Sequence, residues 1–427
     1  MTPSHHARRL MAPLEADVIR LLQELVRTDT VAVPPAGNET AGQLVLRDFL
    51  HAQGLAPELY DVSSVGESGH PCARRDRAYA GRQNLVLRVS GSGRGRSLLL
   101  NGHMDTVPAG RAAWTEGPWS GAIRGGRLYG RGSFDMKGGL AAQFAVVCAL
   151  HRAGIRCGGD LICESVVDEE WGGGGGSLAA RLRGDLADAC VIGEGTQLEI
   201  ALASRGGYLV DLICSAGDPA HFFSAAEVVS PATHLGRLLA WVGACAAERR
   251  GVPRGRAYAA FPDPVPVQIL ALEANRMDLE APLTVPLTAR LRVYFQFLPH
   301  EEVPNVLGRI RESFETFCRN DPFFCVHPPE WRPMYDPPLL GHELAPEHPW
   351  SQCLALAANG VLGREPVVTA APYPCDAFLM QREFGIPTAV FGPRGAGAHN
   401  QDEYVEVRSV TETAEVLAAA ALEWCGA

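Results

Sequence analysis

The chain has 427 residues, of which 47% are hydrophobic and 20% are charged, and its formal net charge is −10. This length exceeds what a single hydrophobic core usually supports, so we expect two domains. The negative charge argues against a nucleic-acid partner, because phosphate binding requires a basic surface.

The sequence also gives no indication of a membrane partner. Its longest apolar runs are far shorter than the ~20 residues that cross a bilayer, and the N-terminal segment lacks the apolar stretch of a signal peptide. The twelve cysteines are scattered singly, which is typical of buried thiols in a reducing compartment. We therefore expect a cytoplasmic protein.

The first part of the chain alternates between helical and strand patterns. Apolar residues recur with helical spacing in the early segments, and the strand segment 97–105 is mainly apolar, as in a sheet covered on both faces. The predicted elements are, in chain order, helix 16–28, helix 42–54, strand 84–89, strand 97–105, helix 138–154, strand 161–167 and strand 189–194. This alternation predicts an α/β domain with a mainly parallel, mixed sheet flanked by helices.

The pattern changes at about residue 203. The further predicted elements are strand 206–217, helix 234–250, strand 286–299, helix 304–318, helix 350–363 and strand 387–393. Those before the Pro-rich segment 327–338 form an α+β unit with the size of a small domain. We therefore predict a catalytic domain in two parts, 1–202 and 333–427, with an inserted domain at 203–332.

Two polar side chains lie at the C-terminal end of the predicted strand 97–105. His103 and Asp105 are two residues apart, so they share one face of an extended chain. This arrangement suits an imidazole that binds a metal ion through one nitrogen while a carboxylate accepts the other N–H. A structural hydrogen-bonded pair is the alternative.

Further histidines and carboxylates follow other predicted strands or stand in glycine-framed loops. They are Asp135 in GRGSFDMKGG, Glu169 and Glu170 in DEEWGGGGG, Glu194 in VIGEG, and His399 in GAGAHNQDEY. Each alone is explained by a turn, a helix cap or a solvated surface. Together they lie at strand ends, where ligand sites gather in open α/β sheets. The set suits zinc, cobalt or manganese, and it is large enough for two ions that share one carboxylate.

The motifs GHMDTVP, GRGSFDMKGG, DEEWGG, VIGEG and AHNQDEY resemble, in this order and spacing, those of the dinuclear metallopeptidase and deacylase family. That family includes acetylornithine deacetylase, succinyl-diaminopimelate desuccinylase, aminoacylase and a glutamate carboxypeptidase. The resemblance implies two divalent ions, with zinc expected and cobalt or manganese as alternatives. It implies these ligands: His103 and Glu194 for one ion, Glu170 and His399 for the other, and Asp135 as the bridge.

The resemblance also implies roles for the acids beside the ligands. Asp105 orients His103 without binding an ion itself, and Glu169 acts as the general base toward the metal-bound water. Asp168 is expected to be an accompanying loop residue.

The inserted domain resembles the lid of this family, which implies a homodimer. His221, in GDPAHFFS, matches a lid histidine that stabilises the oxyanion, usually across the dimer; an ordinary loop histidine is the alternative. Relatives commonly carry an arginine that clamps a substrate carboxylate where this chain has Gln296. Asp376, in PCDAF, and Arg394 are the other candidates for substrate binding.

The sequence therefore predicts a metal-dependent amidohydrolase that removes an N-acyl group from a small amino-acid-like substrate by means of a metal-bridging water. A dipeptidase or carboxypeptidase is one alternative. Another is a biosynthetic acyltransferase or cyclase that uses the same site. A binding protein without catalysis is not favoured, because the ligand set and Glu169 are intact.

Overall fold

The computed structural model describes residues 2–215, 230–274 and 285–426. The helices in these ranges are α1 (Pro3–Met11), α2 (Glu15–Arg27), α3 (Glu39–Ala52), α4 (Gly138–Arg152), α5 (Gly176–Leu182), α6 (Pro231–Arg249), α7 (Val303–Asn320), α8 (Pro349–Leu362) and α9 (Val407–Cys425). The early strands are β1 (Ala32–Val33), β2 (Ala36–Gly37), β3 (Glu58–Asp61), β4 (Gln83–Val89), β5 (Leu98–His103), β6 (Ala122–Arg124), β7 (Arg127–Tyr129), β8 (Leu161–Val166), β9 (Cys190–Ile192) and β10 (Ile200–Ser204). The later strands are β11 (Gly206–Ser215), β12 (Val267–Glu273), β13 (Thr288–Phe297), β14 (Glu330–Pro333), β15 (His342–Glu343), β16 (Val368–Ala371), β17 (Thr388–Val390), β18 (Gly395–Ala396) and β19 (Tyr404–Glu406).

The chain forms two compact units. The first contains Met1–Ser204 and His342–Ala427, and the second is Arg205–Gly341. The second unit is therefore an insertion within the first. Part of the Pro-rich segment expected to be a linker forms β14, which pairs antiparallel with β11 inside the second unit.

The first unit is built on a mixed sheet with the strand order β15-β10-β17-β9-β5-β8-β4-β3, and β16 pairs with β10. Its centre is parallel, because β5 runs parallel to both β8 and β9. Every residue of β5 and β8 is buried, which agrees with their apolar sequences. The predicted α/β class, with a mixed sheet between helices, is confirmed.

Helices cover this sheet and form most of the core. In α4 every residue from Gly138 to Leu150 is buried, as expected of a helix that is apolar on nearly all sides. Helix α9, which the sequence analysis did not identify, packs against α4 and α8 and is also largely buried. In the described ranges no helix has both the length and the hydropathy needed to span a membrane.

The second unit is an antiparallel sheet of order β12-β13-β11-β14 with the helices α6 and α7. Strands β11 and β13 pair without interruption from Gly206↔Phe297 to Ser215↔Thr288. Strand β12 lies at the edge of the sheet, and it exposes Leu270 and Leu272 by 55% and 53%. An edge strand with exposed apolar side chains is a surface suited to pairing with another chain.

Candidate active site

The candidate ligands meet at one edge of the mixed sheet in the first unit. His103 is the last residue of β5, Glu169 and Glu170 follow β8, and Glu194 follows β9. Because these strands are parallel, their carboxyl ends lie at the same edge. The expectation that strand ends would bring these side chains together agrees with this geometry.

Asp135 lies between the two histidines. Its Oδ1 is 3.3 Å from His103 Nε2, and its Oδ2 is 3.2 Å from His399 Nε2. Glu194 Oε1 lies 3.3 Å from His103 Nε2, and Glu170 Oε2 lies 2.8 Å from His399 Nε2. The five side chains thus form two groups, each with one histidine and one glutamate, and the groups share Asp135.

These residues fit a pair of divalent cations. Nε2 of His103 and Oε1 of Glu170 are buried atoms with no hydrogen-bond partner among the described residues, which is the state expected of atoms oriented toward an ion. Imidazole nitrogen and carboxylate oxygen are the ligands that zinc, cobalt and manganese accept. Two ions that share one carboxylate would satisfy all five side chains.

Burial and mutual repulsion perturb the acids of the site. Burial raises the pKa of the Glu194 carboxyl to about 7 and raises the pKa of Glu169 well above its usual range. The charge of Glu170 raises the pKa of His399. Against the effect of burial, the two histidines beside Asp135 lower the pKa of its carboxyl. So many acids at one place require positive charge nearby, and bound cations would supply it.

Glu169 lies beside the ligand groups. Its Oε2 is 3.9 Å from His103 Nε2, and the ligand atoms of His103, Glu169 and Glu194 all lie within 4.8 Å of one another. Distance alone therefore does not separate Glu169 from the metal ligands. Glu169 is distinguished from the ligands because the other five side chains already form two complete groups that share Asp135.

Asp105 holds the site in a different way from the one predicted. Its carboxylate accepts the backbone N–H of Glu169 and that of Glu170, each at 3.0 Å. His103 Nδ1 lies 2.9 Å from the backbone carbonyl oxygen of Asp105 and 3.6 Å from its carboxylate. The main chain of Asp105 therefore orients the imidazole, and its side chain holds the two glutamates.

The expectation that Asp168 is an ordinary loop residue is wrong. Its side chain is buried, and its φ of 63° lies in the left-handed region. The Tyr79 hydroxyl donates to Oδ2 at 2.7 Å, while Arg77 Nε and Arg82 Nη2 lie 3.4 Å and 3.3 Å from Oδ1. Asp168 thus joins the loop that carries Glu169 and Glu170 to the segment around residues 77–82.

The glycines after Trp171 allow this loop to turn. Gly172, Gly173 and Gly174 have φ values of 99°, 57° and 78°, which glycine adopts without strain. A Cβ added to Gly176 would lie 2.4 Å from the backbone nitrogen of Val167. The close approach at Gly176 therefore also requires glycine.

We expect Asp168→Ala to lower the free energy of unfolding by about 3–5 kcal/mol, because it leaves Arg77 and Arg82 buried with less compensating charge. Burial outweighs the two arginines and raises the pKa of Asp168, so the charge of Asp168 is not itself strongly stabilised by the fold. The expected loss of stability therefore arises from the two buried arginines, which the substitution leaves with fewer negative partners. Urea denaturation followed by tryptophan fluorescence measures it.

The matched control is Asp48→Ala. The Asp48 side chain is 66% exposed in its ion pair with Arg47, so this change should cost less than about 1 kcal/mol. Equal losses in the two variants would contradict a special role for the buried ion pairs.

The predicted substrate residues have partners of their own. In the second unit, Gln296 is buried and its Oε1 accepts a hydrogen bond from Arg205 Nη1 at 2.7 Å. Arg394 is part of the first unit and pairs with Glu406 at 3.2 Å and Glu412 at 2.6 Å. Substrate binding by these two residues stays a prediction.

The other two candidates differ in what the structure describes. Asp376 is buried in the first unit, and burial raises the pKa of its carboxyl to about 6, with the charge of His103 acting in the opposite direction. Its Oδ1 has no hydrogen-bond partner within the described ranges. His221 lies outside the described residues, so its role stays a prediction.

Comparison with known proteins gives matches over most of the chain. Residues 99–423 match peptidase family M20/M25/M40. The succinyl-diaminopimelate desuccinylase of Methylobacterium radiotolerans is 29% identical over 401 residues, which cover 91% of this chain and 92% of that protein. The N-formyl-4-amino-5-aminomethyl-2-methylpyrimidine deformylase of Halalkalibacterium halodurans is 24% identical over 428 residues, which cover 96% of this chain and 94% of that protein.

The fold is shared with solved structures. Human carnosine dipeptidase 1 superimposes with a TM-score of 0.79 at 16% identity, over 99% of this chain and 100% of that chain. The family resemblance predicted from the motifs is confirmed, and the chain is an enzyme of the metal-dependent amide hydrolase type. The match to residues 99–423 spans most of the sequence and includes every candidate ligand, so the chain belongs to peptidase family M20/M25/M40.

Proposed function

We propose that this enzyme removes an N-acyl group from the nitrogen of a small amino-acid-like substrate. The observation that carries the proposal is the pair of histidine–carboxylate groups that share Asp135, with Glu169 beside them. Both sequence relatives described above are named as enzymes that remove an acyl group from nitrogen, one a desuccinylase and one a deformylase. Their names support a deacylase over the alternatives.

His103 and Glu194 would hold one divalent ion, Glu170 and His399 would hold the other, and Asp135 would contact both. Zinc is the ion that we propose, with cobalt and manganese as alternatives for the same nitrogen and oxygen ligands. When bound, such ions polarise a carbonyl oxygen and lower the pKa of water.

Glu169 would move the proton. As the oxygen of a water molecule bonds to the amide carbon, the Glu169 carboxylate accepts the proton that the water loses. When the carbon–nitrogen bond breaks, the same carboxyl donates that proton to the leaving amine. Burial raises the pKa of Glu169, which helps its carboxyl to hold the proton between the two steps. His221 would donate a hydrogen bond to the carbonyl oxygen as it becomes negative.

The test is product analysis with the zinc-loaded protein. N-acyl amino acids and dipeptides are supplied in parallel, with and without an added primary amine. We expect a free amine and a carboxylic acid from the N-acyl compounds, with products that the added amine does not change. Formation of a new amide would identify an acyltransferase, and exclusive cleavage of dipeptides would identify a peptidase.

We expect a substrate whose carboxylate is absent or masked to be preferred by about tenfold to a hundredfold over one with a free carboxylate. A carboxylate that binds without a guanidinium partner gives up its hydrogen bonds to water and gains no charge-assisted contact in return, which costs about 1.5–3 kcal/mol. Gln296 offers a neutral amide where a guanidinium would grip both oxygens. The name of the deformylase describes a formylated pyrimidine amine with no carboxylate. The measurement is kcat/KM for pairs of substrates that differ only as carboxylate and amide.

A variant that places an arginine at position 296 must take the neighbouring Arg205 into account. Arg205 already bonds to Gln296 Oε1, so Gln296→Arg alone would place two guanidinium groups side by side. The double variant Arg205→Gln/Gln296→Arg exchanges the two side chains and should move the preference toward the carboxylate. A wild-type preference for the carboxylate by a hundredfold would show that another residue, such as Arg205 or Arg394, binds it.

We also propose that the enzyme is a homodimer that pairs through the second unit, at the exposed edge strand β12. Leu270→Glu/Leu272→Glu should therefore produce a monomer, because the charges oppose burial of this edge. Light scattering after size-exclusion chromatography measures the mass. Leu356→Glu is the matched control, since Leu356 is 68% exposed on α8 of the first unit. A monomeric wild type, or loss of the dimer in the control as well, would contradict the proposal.

A further inference from the structure

The carboxylate of Glu403 lies beneath the loop that carries Asp135. Its Oε1 accepts the backbone N–H groups of Phe134 and Asp135 at 2.9 Å and 3.0 Å. Its Oε2 accepts the N–H of Gly132 at 3.0 Å and Arg131 Nη1 at 2.7 Å. Glu403 is fully buried, and these four hydrogen bonds all go to one short loop.

Glu403 also ties this loop to the segment that carries His399. It lies four residues after His399 and immediately before β19, which pairs antiparallel with β7. The backbone carbonyl of Glu403 accepts the N–H of Gly130 at 2.9 Å. One residue therefore holds, through both its main chain and its side chain, the two segments that supply Asp135 and His399.

The number of backbone donors distinguishes this arrangement from a simple buried ion pair. A buried carboxylate needs a counter-charge, and Arg131 supplies one. The three N–H groups add a constraint on the direction of three peptide planes in this turn, those that carry the N–H groups of Gly132, Phe134 and Asp135. The turn is tight, since Gly132 has a φ of 81° and a Cβ there would lie 2.6 Å from Thr106 Cγ2.

We propose that Glu403 is a positioning residue of the metal centre. By fixing the backbone of Asp135, it aims one carboxylate oxygen at His103 and the other at His399. Glu403 itself contacts neither ion nor substrate. This inference rests on the proposed binding of two ions at Asp135. It adds that the main chain of Asp135, whose carboxylate the two ions would share, is held by the carboxylate of Glu403.

The test is the affinity of Glu403→Gln for zinc, measured by competition with a chelator in the absence of substrate. The amide oxygen of glutamine can accept two of the four donors, but its NH2 group repels the others. We expect the affinity to fall about 10–100-fold, as when the partners of metal ligands are removed elsewhere. Glu403→Asp, which keeps the charge but shortens the side chain, should fall between this variant and the wild type.

Glu301→Gln is the matched control. Glu301 is also a buried carboxylate, and it accepts Arg249 at 2.6 Å and 2.7 Å and the N–H of Leu298 at 2.8 Å, all within the second unit. Both substitutions should lower the melting temperature, but only Glu403→Gln should weaken zinc binding. Unchanged zinc affinity in Glu403→Gln, or an equal loss in Glu301→Gln, would overturn the inference.

A measurement on the wild type covers the case in which the Glu403 variants do not fold. In the metal-free protein, the amides of residues 132–135 should exchange with deuterium as slowly as those of a buried strand, because three of them donate to a buried carboxylate. Exchange at the rate of an exposed loop would overturn the inference. Wild-type protein that binds no zinc would instead refute the proposed function.

Discussion

Exhaustive chelation should abolish hydrolysis by this enzyme, and added zinc or cobalt should restore it. Among the described side chains that meet at Asp135, the groups that can carry positive charge are the two histidines that would bind the ions, so bound ions would supply most of the positive charge beside the substrate. Elemental analysis of the active protein should find two divalent ions per chain. Activity of the chelated protein, before and after metal is returned, provides the second measurement.

Variants of single ligands separate the two ions. Asp135 faces both histidines, so Asp135→Asn should weaken the binding of both ions. Glu194→Gln should weaken only the ion beside His103, because Glu194 lies in one group alone. Full activity after exhaustive chelation, or equal loss of both ions from the two variants, would contradict this assignment of ligands.

The sequence predicted the buried centre of the fold better than its periphery. Helix α4 is apolar on nearly all sides and strands β5 and β8 begin with apolar residues, and the structure buries these segments as their sequences predict. The small sheet of order β18-β19-β7-β6 was not predicted. Its strands have two or three residues each, which is too short for any alternation of apolar and polar residues to be visible.

The sequence likewise predicted some residues of the candidate site and missed others. The candidate ligands could be found because each follows a predicted strand or stands in a glycine-framed loop. Asp168 and Glu403 were missed as structural residues, although both stand inside motifs that were recognised. Their partners explain this, since Arg82 is 86 residues from Asp168 and Arg131 is 272 residues from Glu403. A sequence shows a charged residue, but only the fold shows that it is buried and what surrounds it.

The loop around Asp168 gives two adjacent glutamates different tasks. The backbone N–H groups of Glu169 and Glu170 are both held by the Asp105 carboxylate. Their side chains then diverge: Glu170 Oε2 is 2.8 Å from His399, whereas Glu169 Oε2 is 3.9 Å from His103. Adjacent residues with the same side chain therefore allow ligand binding and proton transfer to be tested separately by identical substitutions.

We expect Glu169→Gln to lower kcat by about 10²–10⁴-fold while leaving two ions bound, because the amide keeps the shape of the side chain but accepts no proton. Glu170→Gln should also lower kcat, and in addition it should weaken one ion, since the neutral amide is a poorer ligand than a carboxylate. Steady-state kinetics and metal content, measured on the same preparations, separate these outcomes. A near wild-type kcat in Glu169→Gln would exclude Glu169 as the base. Loss of an ion from that variant would instead identify Glu169 as a metal ligand. Its carboxylate is close enough for that role, since the ligand atoms of His103, Glu169 and Glu194 lie within 4.8 Å of one another.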